Sequence, residues 1–236
     1  MEGYMADILI VHGAWSAGWA WKKMRPLIAG AGHRLWTPTM TGLGERQHLA
    51  HPDIDLNTHI KDITTLLTME DLRDVVLVGH SYGGIVATGV ADRARERIAQ
   101  LIYLDAYVPA DGQSALDLAS PATAARHQAV ATKEGDGWRV TPNPLPDDTS
   151  EDDAQWAAPR RVAQPLKTLS TPLQLIAGPL TVKRSYILCT RNPAFSSFGA
   201  AARTAGWTYR ELDASHNPHI TMPQTLAAML LDLAAA

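Results

Sequence analysis

The chain has 236 residues, 46% of them hydrophobic, which is enough to bury the core of one large domain. Its formal net charge is −3, so no global positive field attracts phosphate backbones, and we expect no nucleic-acid partner. No stretch reaches the roughly 18 uninterrupted apolar residues of a membrane span, and the N-terminus "MEGYMADILIVHGAW" lacks the basic and apolar regions of a secretory signal. We therefore expect a cytoplasmic protein that does not engage a membrane.

Short β-rich runs alternate with helical patterns along the chain. The runs typical of strands are "ADILIVHG", "HRLWTPT", "DVVLVGH", "LIYLDA", "RSYILCT" and "WTYRELDA". The helical patterns are "WAWKKMRPLIAGAG", "HIKDITTLLTMEDL", the stretch from Ile85, a segment near residues 195–205 and "PQTLAAMLLDLAAA". This alternation predicts an α/β fold in which a mainly parallel sheet of about six strands carries helices on both faces. The single cysteine, Cys189, lies in an apolar run, and we interpret it as an inert buried residue.

Residues 109–180 break this alternation. The stretch "TPNPLPDDTSEDDAQ" is too rich in proline, acidic and small polar residues to form a core strand. We interpret residues 109–180 as an inserted cap, here called the cap segment, and residues 1–108 and 181–236 as the core; a disordered linker is the alternative. A lid contributes binding and water exclusion, so we expect the cap segment to affect substrate preference more than chemistry.

Three tryptophans are candidates for substrate contact. Trp15 follows the first strand, and Trp138 and Trp156 lie in the cap segment, where they need apolar surface to cover. They suggest an apolar or aromatic substrate group, although aromatic side chains more often serve packing. In the same segment, "PRRVAQPLK" is interpreted as a solvated patch.

The stretch "LVGHSYGG" has the features of a catalytic turn. Gly79 to Gly83 match the pattern G-x-S-x-G, with a predicted strand before and a predicted helix after. This pattern requires a sharp turn that exposes the serine hydroxyl, and small neighbours relieve the crowding there. Ser81 is therefore the predicted nucleophile; an accidental glycine turn is the alternative.

A serine nucleophile needs a base and an acid, which in this arrangement follow it in the order acid, then histidine. His216, in "LDASHNPHITMP", follows the last predicted strand and is the candidate base. Asp105 ends the strand "LIYLDA" at the sheet edge where sites of open α/β folds lie, and it is the candidate acid. Capping of a turn by Asp105 is the alternative, and Asp213 is a weaker candidate for the acid.

Acyl transfer also needs hydrogen-bond donors aimed at the developing oxyanion. The backbone N–H of Tyr82, directly after the nucleophile, is one candidate. The loop "HGAWSAGW" after the first strand can supply the second, from Ala14. His12 in that loop is expected to order the turn through its ring nitrogens. No histidine pair brings a convincing third ligand, so we expect no metal.

Five motifs together resemble the α/β-hydrolase superfamily, and within it the small esterase branch related to hydroxynitrile lyases and plant methyl-ester hydrolases. The motifs are "VHGAWSAGWAW", "GLGERQHL", "LVGHSYGG", "LIYLDAYVPADGQS" and "SHNPHITMP". The resemblance implies Ser81 as nucleophile, His216 as base, an oxyanion hole from Ala14 and Tyr82, and no metal or organic cofactor. Plant members carry an aspartate after the next-to-last strand, where this chain has Asn192, so Asn192 is the alternative acid position.

The chain also departs from the lyase members. They use a lysine directly after the histidine, where this chain has Asn217, and a threonine in the oxyanion loop, where it has Gly13. Hydrolysis of a small carboxylic ester by a metal-independent serine esterase is therefore the predicted function. A hydroxynitrile lyase-like enzyme, or a ligand-binding protein with little turnover, is the alternative. We expect a small-molecule ester as partner and consider a homodimer.

Overall fold

The computed structural model describes residues 5–235; residues 1–4 and 236, which the sequence assigns to the core, lie outside the described residues. Eight strands are present in this part of the chain. They are β1 (Asp7–Val11), β2 (Arg34–Trp36), β3 (Val75–His80), β4 (Ile98–Leu104), β5 (Arg139–Val140), β6 (Gln164–Pro165), β7 (Lys183–Cys189) and β8 (Thr208–Leu212).

Six of these strands form one sheet in the order β2-β1-β3-β4-β7-β8. Every neighbouring pair is parallel, from Ile8 opposite Val76 to Ser185 opposite Thr208. The central strand β3 is buried along its whole length, as its uninterrupted apolar run "VVLVGH" requires. The predicted parallel sheet of about six strands is confirmed.

Ten α-helices connect and cover these strands. They are α1 (Met24–Gly30), α2 (Leu56–Met69), α3 (Gly83–Arg93), α4 (Ala115–Leu118), α5 (Pro121–Glu134), α6 (Glu151–Ala157), α7 (Leu166–Ser170), α8 (Ser196–Thr204), α9 (Pro218–Thr221) and α10 (Pro223–Ala235). The helix predicted from Trp19 onward instead starts as a 3-10 turn, Gly18–Trp21, followed by α1. Proline lacks an N–H and is tolerated only in a helix's first turn, so Pro26 fixes the start of α1 close to Met24.

Side chains alternate across the sheet and bury two cores. Leu9 and Leu77 join α2 and α3 on one face, whereas Ile8 and Val76 join α1 and α10 on the other. Both faces of a parallel sheet must be covered in this way, because its strands are apolar on both sides.

The cap segment lies between β4 and β7 in the chain and contains helices α4 to α7 and the antiparallel pair β5–β6. Serine side chains cap several of these helices: Ser114, Ser120 and Ser150 each accept a hydrogen bond from a backbone N–H in the first turn. The segment is thus folded in its own local structure. Across residues 5–235, no helix combines the length and apolar character needed to cross a bilayer.

Candidate active site

Ser81 lies at the junction between β3 and α3 in a left-handed backbone conformation, with φ of 57°. Positive φ crowds a Cβ atom, and such strain persists where the surroundings hold it. Gly83 supplies part of that support: a Cβ there would lie 2.1 Å from the carbonyl oxygen of Val11, so only glycine lets α3 approach β1 this closely. The turn raises Ser81 to the carboxyl edge of the sheet, where it lines a cavity.

A chain of hydrogen bonds joins Ser81 to a buried carboxylate. The Ser81 Oγ atom lies 2.8 Å from His216 Nε2, and His216 Nδ1 lies 2.7 Å from Asp105 Oδ2. Asp105 is fully buried at the end of β4, with φ of 43°. With Nδ1 protonated toward the carboxylate, Nε2 of His216 is free to accept the proton of Ser81.

Asn192 lies beside this chain, within hydrogen-bonding distance of both Asp105 and His216. Its Nδ2 donates to Asp105 Oδ2 at 2.6 Å and is 3.1 Å from His216 Nδ1. The amide of Cys189 also donates to Asp105, at Oδ1 over 3.3 Å. These donors give hydrogen-bond partners to both oxygens of the buried Asp105 side chain, as a buried polar group requires.

Asp213, the weaker candidate, turns away from the site. Its carboxylate receives two hydrogen bonds from Arg191, at 2.8 and 2.7 Å, and its side chain is 75% exposed. Asp213 thus forms a surface ion pair and not a contact to His216.

The sequence did not reveal the groups that hold the His216 loop. Phe195 stacks on the His216 ring at 5.1 Å between centroids and 5° between planes. His80 Nε2 donates to the backbone oxygen of His216 at 2.8 Å, and burial holds the pKa of His80 well below its ordinary value. Ser215 donates through its N–H, at 3.0 Å, and its hydroxyl to Asp148 of the cap segment. His80 and Ser215 lie in motifs that the sequence analysis used, "LVGHSYGG" and "SHNPHITMP", but neither motif indicates that these residues hold the loop.

The two candidate oxyanion donors belong to residues of the cavity that Ser81 lines. Ala14 and Tyr82 both line the cavity. Among the described residues, neither backbone N–H donates a hydrogen bond to another protein group. His12 orders the loop as expected: its ring nitrogens contact Gly13 O at 2.9 Å and Met40 N at 3.1 Å. Burial lowers the pKa of His12 to about 4, so it remains neutral.

The cavity above Ser81 has a volume of about 940 Å³ and includes residues of both core and cap segment. Trp15 lines it, with its ring edge against His127 at 5.5 Å. Trp138 and Trp156, the other two candidates for substrate contact, do not line this cavity. The Trp138 ring packs under the guanidinium of Arg139 at 4.1 Å, and Trp156 packs edge-on against Trp19 at 5.2 Å.

One cation in the cavity has no carboxylate partner. Arg161 lines the cavity, donates to the backbone oxygen of Asn143 at 2.5 Å, and forms no ion pair within residues 5–235. Burial lowers the pKa of Arg161. Its remaining N–H groups are therefore available to a ligand.

Two other kinds of site were considered, a metal site and a reactive thiol at Cys189. In the part of the chain that the structure describes, no three His, Cys, Asp or Glu side chains group as a metal site requires. Cys189 is buried, and burial raises the pKa of its thiol far above the ordinary value, so the thiolate is disfavoured.

Comparison with known proteins gives consistent matches. The profile described as "Alpha/beta hydrolase family" matches residues 8–229. The carbendazim hydrolyzing esterase of Nocardioides sp. (strain SG-4G) is 38% identical over 242 positions, covering 97% of this chain and 100% of that protein. The alpha-hydroxynitrile lyase of Arabidopsis thaliana is 33% identical over 103 positions, covering 43% of this chain and 40% of that protein.

A solved structure shares the fold. An extracellular alpha/beta-hydrolase from a Paenibacillus species superimposes with a TM-score of 0.85 at 23% identity, covering 96% of this chain and 98% of that one. At this identity the likeness speaks for the fold alone. It agrees with the parallel six-stranded sheet.

Proposed function

The chain belongs to the alpha/beta hydrolase family, and from this membership we propose that it hydrolyses carboxylic esters through an acyl-enzyme on Ser81. One observation carries the proposal: the unbroken chain of hydrogen bonds from Asp105 through His216 to Ser81, with lengths of 2.7 and 2.8 Å. A serine hydroxyl is a poor nucleophile until an oriented base takes its proton, and this chain provides the base and its orientation.

The mechanism follows from these atoms. His216 Nε2 takes the proton of Ser81 as the oxygen attacks the ester carbonyl. The N–H groups of Ala14 and Tyr82 stabilise the oxyanion, and His216 returns the proton to the departing alcohol. A water molecule, activated by the same nitrogen, then releases the acid. Asp105 stabilises the imidazolium in both steps by its charge.

The cavity walls suggest the class of ester. A volume of about 940 Å³ accommodates a drug-sized molecule. Phe195, stacked on the His216 ring, and Tyr107, edge-on against Phe195, offer apolar surface near Ser81. Arg161 in the cap segment offers donors to a carbonyl or carboxylate of the substrate. We therefore expect an ester that is apolar near the scissile bond and also carries a hydrogen-bond acceptor.

Two alternatives are less well supported. A threonine at position 13, as in the lyases, would be crowded here, because a Cβ on Gly13 would lie 3.0 Å from Ser81 Cβ and 3.1 Å from His80 Nδ1. An asparagine in place of the acid would favour a ligand-binding protein with little turnover, but the hydrogen bond from Asp105 to His216 supports Asp105 as the acid and speaks for an enzyme. The cytoplasmic location and the homodimer stay predictions of the sequence.

Turnover of 4-nitrophenyl acetate and butyrate tests the proposal. Ser81→Ala should lower kcat by several orders of magnitude while the unfolding temperature stays close to that of the wild type, because only the nucleophile is removed. Ser197→Ala, on the exposed surface of α8, is the matched control and should behave as the wild type. Full turnover in folded Ser81→Ala would refute the proposal, and release of cyanide from mandelonitrile without ester turnover would identify a lyase.

A further inference from the structure

Trp15 holds a strained backbone conformation directly beside a candidate oxyanion donor. It follows Ala14 in the chain and has φ of 58°. An L-residue with a large side chain rarely adopts this left-handed region, and it does so where the surroundings impose it. The surroundings of Trp15 therefore help to decide where the loop, with the Ala14 N–H, is directed.

Both hydrogen bonds that hold Trp15 come from the cap segment. The backbone N–H of Trp15 donates to Gln164 Oε1 at 3.1 Å, and its indole Nε1 donates to the backbone oxygen of Val140 at 2.8 Å. Val140 and Gln164 are directly paired in the β5–β6 ladder, and both are fully buried. One position of this small sheet thus supplies both acceptors.

The orientation of the Gln164 amide is itself fixed. The hydroxyl of Thr168 donates to the backbone oxygen of Pro165 at 2.6 Å, so its oxygen is left to accept. Gln164 Nε2 donates to that oxygen at 2.7 Å, which directs Oε1 toward the Trp15 N–H. A buried amide with both ends engaged cannot rotate without leaving a polar group unpaired.

We propose that Gln164 is a positioning residue for the oxyanion hole, which acts on the Ala14 N–H through Trp15. Without this bond Trp15 is free to return to negative φ, and the peptide units before it turn with it. The inference rests on the proposed esterase function and adds to it that the cap segment takes part in chemistry. This modifies the expectation that the cap segment affects substrate preference more than chemistry.

The test separates binding of the tetrahedral state from binding of the ground state. Gln164→Met has a similar volume and no acceptor oxygen, and a trifluoromethyl ketone reports on the oxyanion hole because its adduct with serine is tetrahedral. Loss of one oxyanion donor costs roughly 10²–10³ in kcat, and a misdirected donor should cost roughly 10–100-fold. For Gln164→Met we therefore expect a roughly 10–100-fold loss in kcat for 4-nitrophenyl acetate and an equal rise in the Ki of the ketone. KM should stay within about threefold of the wild-type value.

Two further variants complete the design. Gln164→Glu keeps an oxygen that can accept from Trp15 and should retain kcat within about threefold of the wild type. Lys167→Met is the control: it breaks another bond from the cap segment to the core, the exposed 2.6 Å pair with Asp53, and should change neither kcat nor Ki. Should Gln164→Met fail to fold, Gln164→Asn makes the same test, because its shorter side chain withdraws the acceptor oxygen from the Trp15 N–H.

The outcomes are distinct. Unchanged kcat and Ki in Gln164→Met, or equal shifts in KM and Ki in either variant, would overturn the positioning role while leaving the esterase intact. A larger shift in Ki than in KM supports the role. A wild type that neither turns over the ester nor binds the ketone would overturn the proposed function and, with it, this inference.

Discussion

Replacing Asn192 by aspartate tests which carboxylate serves His216. Asn192 Nδ2 and Asp105 Oδ2 are 2.6 Å apart, so the variant brings two carboxylates together at the site of a hydrogen bond. Two unit charges 3 Å apart repel by about 5 kcal/mol at an effective dielectric constant of about 20. One of the two carboxyl groups therefore keeps its proton at neutral pH. The protonated group can donate a hydrogen bond to the ionised one and so competes with the N–H of His216 for that carboxylate. We expect Asn192→Asp to lower kcat about tenfold at pH 7, the equivalent of 1.4 kcal/mol.

The assay is kcat for 4-nitrophenyl acetate, measured for this variant beside two others. Asp105→Asn keeps the shape of the side chain but removes the negative charge that stabilises the His216 imidazolium, and it should lower kcat by roughly 10³–10⁴. Asp213→Asn is the matched control, because its carboxylate is three residues from His216 yet pairs with Arg191 on the surface. A rise in kcat for Asn192→Asp, together with a mild effect of Asp105→Asn, would refute the reasoning.

Three other predictions concern packing, pH and substrate choice. Gly83→Ala should lower the free energy of unfolding, measured in urea, by about 1–3 kcal/mol or more, because the added Cβ would lie 2.1 Å from the carbonyl oxygen of Val11. Gly30→Ala should not destabilise the protein, because no atom lies within 4 Å of the added Cβ. Burial lowers the pKa of His219 to about 3, so the unfolded chain binds this proton first and stability falls as the pH drops below about 6.5. His219→Phe should recover about 2 kcal/mol of that loss in the free energy of unfolding at pH 5, measured by urea titration. If the stability of the variant fell with pH as steeply as that of the wild type, His219 would not be the cause. Arg161→Met should lower kcat/KM about tenfold for the 4-nitrophenyl monoester of glutaric acid but leave the pentanoate ester unchanged; equal losses would remove Arg161 from recognition.

The positions of the site residues could be predicted because each ends a strand of one parallel sheet. Ser81, Asp105 and His216 follow β3, β4 and β8, and parallel strands bring their carboxyl ends to a common edge. Local patterns in the sequence therefore located residues that are 135 and 111 positions apart in the chain. The departure at Asn192 was visible too, although not that its amide hydrogen-bonds to Asp105.

The cap segment was read less well for a physical reason. Trp138 directly precedes β5, whose two residues are too few to show any period, and Trp156 lies in α6, which spans only 7 residues. The faces of these two tryptophans could therefore not be assigned from the sequence. The interpretation of "PRRVAQPLK" as a solvated patch is wrong for Gln164, which is fully buried. Gln164 bonds to Trp15 across 149 residues, and a polar residue of this kind gives no local sign of a distant partner.

Covalent labelling of Ser81 is the most direct test of the central claim. An alkyl fluorophosphonate added during turnover of 4-nitrophenyl butyrate, followed by mass spectrometry of the peptides, reports the modified residue and the remaining rate on the same sample. We predict one adduct per chain, on Ser81, with turnover lost in proportion to labelling and no adduct in Ser81→Ala. Turnover that persists after full labelling of Ser81, or an adduct on another residue that accounts for the loss, would contradict the account.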